Sequence, residues 1–185
     1  MRIISGSLKG RKLSGYDIPG TRPTMDKVKE SMFAMIQDRI RDQITLDLFA
    51  GTGSLGLEAI SNGAKHCYFV DRNPKCTKVI TTDVNLFGIK DQATILTMTA
   101  QKAIDYFQSG GVKFDLVFLD PPYKDFVIGD VLKTLKEKDL LNDQATLVCE
   151  METNYEQMDD KAFLLLKSRQ YGPKTVLIYE YQRQK

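Results

Sequence analysis

The chain has 185 residues, 42% hydrophobic and 27% charged, with a net charge of +2. That is the length of one well-buried domain and the composition of an ordinary soluble globular protein. No apolar run approaches the ~20 residues needed to cross a bilayer, and the start MRIISGSLKGRKL lacks the apolar core of a signal peptide, so a cytoplasmic protein without a membrane partner is expected.

Residues 1 to 13 alternate weakly, with Gly6 and Gly10 as turn points, and predict a basic β-hairpin appended to a core. Asp26 to Ile40 places Val28, Met32, Met35, Ile36 and Ile40 near helical spacing and predicts an amphipathic helix. From residue 44 onward strands and helices alternate. ITLDLF (44–49) is an apolar strand that ends in a glycine-rich turn, and SLGLEAISNG (54–63) is a helix closed by Gly63. KHCYFVD (65–71) is a second strand. Asn73-Pro74 then gives an N-cap and a proline at the first helical position, and that helix runs to Phe87-Gly88. ATILTM (93–98) is a third strand, followed by a helix near 101–108. KFDLVFLD (113–120) is the fourth, followed by a helix near 127–138, and ATLVCEM (145–151) is the fifth. AFLLLK (162–167) and KTVLIYEY (174–181), joined through Tyr171-Gly172-Pro173, read as a hairpin.

This order predicts an α/β, Rossmann-like fold with helices on both faces of a mostly parallel sheet and one antiparallel strand at an edge. A single domain is expected, with residues 1–25 as the basic extension and 26–185 as the core.

Charge is unevenly spread. Residues 1 to 30 hold seven cations (Arg2, Lys9, Arg11, Lys12, Arg22, Lys27, Lys29) against three acids (Asp17, Asp26, Glu30), so this segment is +4 and the remainder −2. A basic end on a near-neutral body suits contact with a polyanion. A solvated face accounts for the charge equally well. Cys67, Cys76 and Cys149 are odd in number and widely spaced, His66 is the only histidine, and no metal site is expected.

Two motifs carry chemistry. In LDLFAGTGSLG, Gly51-x-Gly53-x-x-Gly56 follows a strand and opens a helix, and Asp71 lies twenty residues beyond Gly51 at the end of the next strand. This is the spacing of a nucleotide-binding βα turn: the glycines let a ligand approach the backbone, and the later carboxylate can accept from ribose hydroxyls. The pattern suits a nicotinamide dinucleotide or S-adenosyl-L-methionine. Asp47, four residues before Gly51, favours the second, because a carboxylate there attracts an ammonium and repels a pyrophosphate.

The second motif is Asp120-Pro121-Pro122-Tyr123, at the end of the fourth strand. Ligands of a parallel sheet bind outside the carboxyl ends of its strands, so this motif should share a crevice with Gly51, Gly53 and Asp71. Ionised Asp120 is an acceptor. Pro122 restricts Pro121 to extended geometry, which can fix the Pro121 carbonyl as a second acceptor. Tyr123 offers a flat face. Two acceptors and a ring are what an exocyclic amino group on a planar base requires.

Together these residues resemble the S-adenosylmethionine-dependent amino methyltransferases with a seven-stranded sheet. RIISGSLKGRKL (2–13), Arg22-Pro23-Thr24 and LDLFAGTGSLGLEA narrow the resemblance to the RsmD family, bacterial methyltransferases of small-subunit ribosomal RNA. It spans nearly the whole chain. The resemblance implies methylation of the exocyclic N2 of a guanine in 16S RNA, within an assembling 30S particle and by a monomer. Asp120, Pro121, Pro122 and Tyr123 would be catalytic. Asp47, Phe49, Gly51, Gly53, Asp71, Arg72 and Asp120 would line the cofactor, with Arg72 covering the adenine face. Arg2, Lys9, Arg11 and Lys12 would grip RNA, with Arg22 and Thr24 close to the active site. One departure stands out. After the third strand such enzymes commonly carry an acid for the adenine amino group, and here the place reads Met98-Thr99-Ala100. Thr99 could accept one hydrogen bond, and the Ala100 N–H could serve the adenine ring.

Other classes account for less. Adenine-N6 methylation of DNA or RNA uses the same acceptors, but a DNA enzyme of that kind usually carries a target-recognition region. A nicotinamide-linked oxidoreductase leaves Asp120 to Tyr123 without a role. A non-catalytic RNA-binding module explains the basic segment and neither motif.

Overall fold

The computed structural model describes residues 1–15, 26–122, 128–152 and 158–184. Its core is one seven-stranded sheet in the order β3-β2-β1-β4-β5-β7-β6. The strands are β1 (Ile44–Asp47), β2 (His66–Asp71), β3 (Ala93–Thr97), β4 (Phe114–Leu119), β5 (Leu141–Glu152), β6 (Phe163–Tyr171) and β7 (Lys174–Tyr181). The first five pair in parallel, and β7 runs against both β5 and β6. The terminal hairpin therefore supplies the antiparallel pairing at the β6 edge.

The helices are α1 (Asp26–Met35), α2 (Ser54–Ser61), α3 (Pro74–Phe87), α4 (Ala100–Gly110) and α5 (Ile128–Glu137). One face of the sheet is covered by α1, α2 and α3. There Met32, Phe33, Leu55 and Ala59 pack on Leu116, Phe118, Val148 and Ile178, and Leu57, Ile60 and Ile80 pack on Phe69 and Cys67. The other face is covered by α4 and α5, whose Ala103, Phe107, Leu132 and Leu135 bury Val117, Leu119, Leu147 and Leu177. Both faces of the central strands are dry, which is why these strands read as apolar runs rather than as alternating ones.

Local signals set most boundaries. Asn73 accepts the Lys75 N–H at 2.9 Å as the N-cap of α3, Pro74 follows, and Gly88 ends the helix at φ 69°. Such a cap is worth about 1 kcal/mol. Three boundaries differ from the sequence expectation by four residues or more; one is the end of β6, which runs to Tyr171 instead of Lys167. The helix expected over 26–40 stops at Met35 and continues as a 3-10 turn over Gln37–Arg39. The tighter turn keeps Ile36 and Ile40 buried, so the apolar spacing outlasts the α-helix itself. Strand β5 begins four residues early, at Leu141, with Gln144 at φ 64° and a register shift between Phe114 and Leu116. A bulge of this kind is not visible in apolar spacing.

The first thirteen residues form a looser hairpin than expected. Its pairing consists of one antiparallel bridge, Arg2 to Lys12, with Ile3 N–H on the Arg11 carbonyl and Gly10 N–H on the Ile3 carbonyl, both at 2.9 Å. It is anchored by Ile3 and Leu13, both buried among α2 and α3 side chains.

Gly56 shows how closely α2 lies on the sheet. A Cβ there would stand 2.3 Å from Phe69 Cε1 and 2.7 Å from Cys67 Sγ, and both neighbours are fully buried. Gly56→Ala is expected to lower unfolding free energy by about 1–3 kcal/mol, the usual cost of overpacking, measured as a reduced urea midpoint at unchanged m value.

Candidate active site

The chain reverses its winding at β1. Strands β2 and β3 lie to one side of it and β4 to the other, with Asp47 opposite Phe118 of β4 in register. A parallel sheet opens a crevice at the carboxyl ends of the two strands flanking such a point. The last residue of β1 is Asp47, the last residue of β2 is Asp71, and the first residue after β4 is Asp120. Three carboxylates from distant parts of the chain are thus brought to one edge.

Each is held differently. Asp47 is 2% exposed and accepts the Gly56 N–H of α2 at 3.0 Å. Burial pushes its pKa up to about 7; the Gly56 bond opposes the rise, and the charges of Asp120 and Asp71 add to it. Asp71 pins the glycine loop: one oxygen accepts the Gly51 N–H and the other the Asn73 N–H, both at 2.8 Å. An ionised carboxylate has about four acceptor positions, so each oxygen keeps one for a ligand. Asp120 is half-buried. Burial pushes its pKa up to about 6, and the Lys174 ammonium opposes that rise. Pro121 is buried beside it and Pro122 is exposed.

The loop between Asp47 and α2 has the conformation the glycines predict. Gly51 has φ 53° and Gly53 φ 81°. A Cβ on Gly51 would meet nothing within 4 Å, whereas one on Gly53 would stand 2.9 Å from Ile80. Gly51 therefore faces open space where a ligand can approach, and Gly53 is tight because the loop lies against α3. The Gly56 N–H in the first turn of α2 is taken by Asp47, so that turn has one donor fewer to offer a ligand.

Of the other expected residues, Phe49 is half-buried against the α4–α5 face, and Arg72 is exposed beside Asp71. Thr99 caps α4: its hydroxyl accepts the Lys102 N–H at 3.3 Å, and Ala100 is the first residue of that helix. The Thr99 oxygen thus already serves the backbone. The Met98 N–H bonds the Asp71 carbonyl at 3.1 Å, which keeps this turn beside the second carboxylate. Arg2, Lys9, Arg11 and Lys12 are exposed on the N-terminal arm, with the Arg11 guanidinium 5.9 Å from the centre of the Phe87 ring. Tyr123, Arg22 and Thr24 lie outside the described residues. His66 is half-buried at the far end of β2, where its Nε2 meets the Thr94 hydroxyl at 2.8 Å. Cys67, Cys76 and Cys149 are buried thiols. No cluster of metal-binding side chains, and no helix long and apolar enough to cross a membrane, occurs among the described residues.

One charged pair at this edge escaped sequence reading. Leu119 pairs with Cys149, so the next residues of the two parallel strands, Asp120 and Glu150, are neighbours on one face. Buried Glu150 is ion-paired with Lys174 of β7. Only the antiparallel register of β5 and β7 brings Lys174 here, 54 residues after Asp120 in the chain. A separate polar cavity of about 350 Å³, lined by Gln43, Asp115, Thr146 and Glu180 among others, opens at the amino ends of β1 and β4. It is on the opposite edge of the sheet from the three carboxylates.

These features make the crevice an acceptor site. A ligand that brings an ammonium and hydroxyl donors relieves the repulsion among three carboxylates, and a pyrophosphate adds to it.

Comparison with known proteins agrees with this architecture. The family model described as Conserved hypothetical protein 95 matches residues 1–180. The chain is 36% identical to YlbH of Bacillus subtilis over 181 residues, 97% of this chain and 98% of that protein. It is 33% identical to Ribosomal RNA small subunit methyltransferase D of Escherichia coli over 156 residues, 82% of this chain and 75% of that one. The solved structure of HI0767 from Haemophilus influenzae superposes with a TM-score of 0.80 at 27% identity, covering 99% of both chains. That of yhhF from Escherichia coli, at 24% identity, gives a TM-score of 0.87 over 100% of this chain and 99% of that one. With a family match across 180 of 185 residues and relatives of 36% and 33% identity matched over 97% and 82% of this chain, the chain belongs to the Ribosomal RNA small subunit methyltransferase D family.

Proposed function

We propose that this protein transfers a methyl group from S-adenosyl-L-methionine to the exocyclic N2 amino group of a guanine in small-subunit ribosomal RNA, presented in an assembling particle. The observation that carries this reading is the convergence of Asp47, Asp71 and Asp120 on the carboxyl edge of the sheet, beside a glycine loop that leaves space at Gly51. Membership of a family whose relatives are named for ribosomal RNA methylation supports the substrate class. Guanine N2 rests on the family resemblance of the motifs. The acceptors themselves suit any exocyclic amine.

The residues would divide the work by charge and position. Asp47, ionised, would attract the methionine ammonium through charge and hydrogen bonding. Asp71 would offer its remaining acceptor positions to the ribose hydroxyls while still fixing the loop through Gly51. Bound S-adenosyl-L-methionine supplies an electrophilic methyl group on a sulfonium. Asp120 and the Pro121 carbonyl would each accept one N–H of the target amine, which turns the nitrogen lone pair toward the methyl carbon. Methyl transfer to that nitrogen would leave the C–S electron pair on the sulfur. The amine then sheds one proton, which Asp120 can take up. Tyr123 would stack on the base. For a weakly nucleophilic amine, orientation and fixed acceptors are the main sources of rate.

Mass mapping of ribosomal RNA from cells with and without this protein tests the reading. One small-subunit guanine should lose a single methyl in its absence, and Asp120→Ala should fail to restore it. A methyl lost from an adenine, or from no nucleotide, would overturn the assignment. In a purified reaction Asp120→Ala should cut transfer by about 10²–10³-fold, the usual cost of one fixed polar group at the reacting centre, with cofactor affinity largely kept.

The pKa shifts set the pH dependence. Asp47 is charged only above its raised pKa of about 7. Cofactor affinity should therefore weaken as pH falls through 7 and level off above it, measured by calorimetry. Asp47→Asn should remove that dependence and bind weakly throughout.

The basic arm gives an independent test. Replacing Lys9, Arg11 and Lys12 together with Ala should weaken RNA binding and reduce the slope of log affinity against log salt by roughly 2–3, since each phosphate left unneutralised keeps its counterion.

A further inference from the structure

Among the described residues outside the crevice, the proposed reaction leaves three buried charged side chains without a task. Lys29 of α1 and Glu58 of α2 form an ion pair at 3.1 Å with both side chains fully buried. Asp83 of α3 is also fully buried. All three are directed at the N-terminal arm. Glu58 accepts the backbone N–H groups of Ile4 and Ser5 at 2.8–3.1 Å. Asp83 accepts the Ser14 N–H with both oxygens, at 2.9 and 3.2 Å.

The pair also reaches the glycine loop. The Lys29 ammonium donates to the Arg2 carbonyl at 2.7 Å and to the Ser54 hydroxyl at 3.1 Å. Ser54 follows Gly53 directly and opens α2. One nitrogen therefore holds both the arm backbone at an exposed arginine and the residue that leaves the loop. The other end of the arm meets the loop as well. Gly15, at φ 76°, lies where a Cβ would be 2.6 Å from Val79 of α3 and 3.2 Å from Thr52, between Gly51 and Gly53. Gly6 is seated against the end of α2, where a Cβ would stand 1.9 Å from the Ser61 carbonyl oxygen.

Adhesion alone does not require this arrangement. Ile3 and Leu13 already bury the arm's apolar side chains, and a well-packed apolar substitute for a buried ion pair is often equally stable. What directional charged contacts add is a fixed register between two segments. We propose that Lys29 and Glu58 are positioning residues that hold the basic arm at a set distance from the glycine loop, so that RNA gripped by the arm is delivered in line with the methyl donor. This rests on the arm being the RNA grip. The pair acts on delivery of the base, and neither the number of phosphates held nor cofactor affinity depends on it.

The test is Lys29→Met combined with Glu58→Gln, which removes both charges at similar volume and leaves no buried charge unpaired. Single-turnover transfer to ribosomal RNA should slow by about tenfold or more, the scale of a misplacement near 1 Å. The salt slope of RNA binding should match the unaltered protein, and S-adenosyl-L-methionine affinity should stay within about twofold. Hydrogen exchange at Ile4 and Ser5 should accelerate. Asp83→Ala, which frees the arm at Ser14 without touching the loop, should also slow transfer, and it decides the matter if the double variant does not fold. Transfer at the original rate with Ile4 and Ser5 unprotected would overturn the proposal, as would a loss of cofactor affinity that accounts for the whole decrease in rate. If the unaltered protein methylates no ribosomal RNA, the proposed function fails instead, a different result from unchanged transfer in the variants.

Discussion

The crevice depends on one topological constraint: the winding of the chain reverses at β1. Because β2 leaves β1 on one side and β4 pairs on the other, Asp47, Asp71 and Asp120 end neighbouring strands although they are spread over 74 residues of sequence. The hydrogen bonds at this edge follow from the same constraint. Asp47 reaches forward to Gly56 in α2, and Asp71 reaches back to Gly51. The glycine loop is thereby tied to two strands, and its conformation is held in place before any ligand binds. In the proposed reaction a preformed loop matters, since a binding site already in its bound shape loses less entropy on association.

The carboxylates are kept close together at an electrostatic cost. Burial and mutual repulsion raise the pKa of Asp47 to about 7, so these side chains by themselves carry less charge near neutral pH than their residue types suggest. Lys174 limits the same effect at Asp120. Where Asp47 is surrounded by acids and the Gly56 amide, Asp120 has an ammonium nearby, and its pKa of about 6 leaves it mostly ionised at neutral pH. Both acids are raised by burial, and an ammonium opposes that rise only at Asp120.

Much of this was legible in the sequence because the signals were local. Asn73-Pro74 with Gly88 bounded α3, Gly51 and Gly53 marked the loop, Asp71 and Asp120 stood out because each ends an apolar run, and Asp47 because it lies four residues before Gly51. The signals that failed were non-local. Apolar spacing over 26–40 did not show that the helix tightens after Met35, because Ile36 and Ile40 stay buried either way. Lys174 reads in the sequence only as the first residue of a hairpin strand; the β5–β7 register sets it opposite Glu152, where it ion-pairs diagonally with Glu150. Lys29 was counted in the net charge of the first thirty residues, yet it is fully buried, paired with Glu58 two elements away. Composition counts a charge without saying whether it faces water. Among the described residues of that segment, removing Lys29 leaves Arg2, Lys9, Arg11 and Lys12 on the arm and Lys27 on α1 as the exposed cations.

That correction sharpens how charge is arranged across the molecule. The exposed cations Arg2, Lys9, Arg11 and Lys12 stand on the arm, and three acids stand in the crevice. A polyanion is attracted to the first and repelled by the second. In the proposed function the backbone of an RNA would stay on the arm, and only an uncharged base could enter the crevice without electrostatic penalty. Such a base must leave its stack, at a cost of roughly a few kcal/mol. In that reading Tyr123 would offer compensation of about the same size, roughly 1–3 kcal/mol per stacked base. The division of charge would then work as a filter, admitting the part of the nucleotide that carries the amine and holding back the part that carries the phosphate. For such a filter to be productive, the distance from phosphate grip to acceptor must match the reach of one flipped nucleotide. The ionic junction at Lys29, which holds the arm and the loop by a single nitrogen, is suited to set that distance.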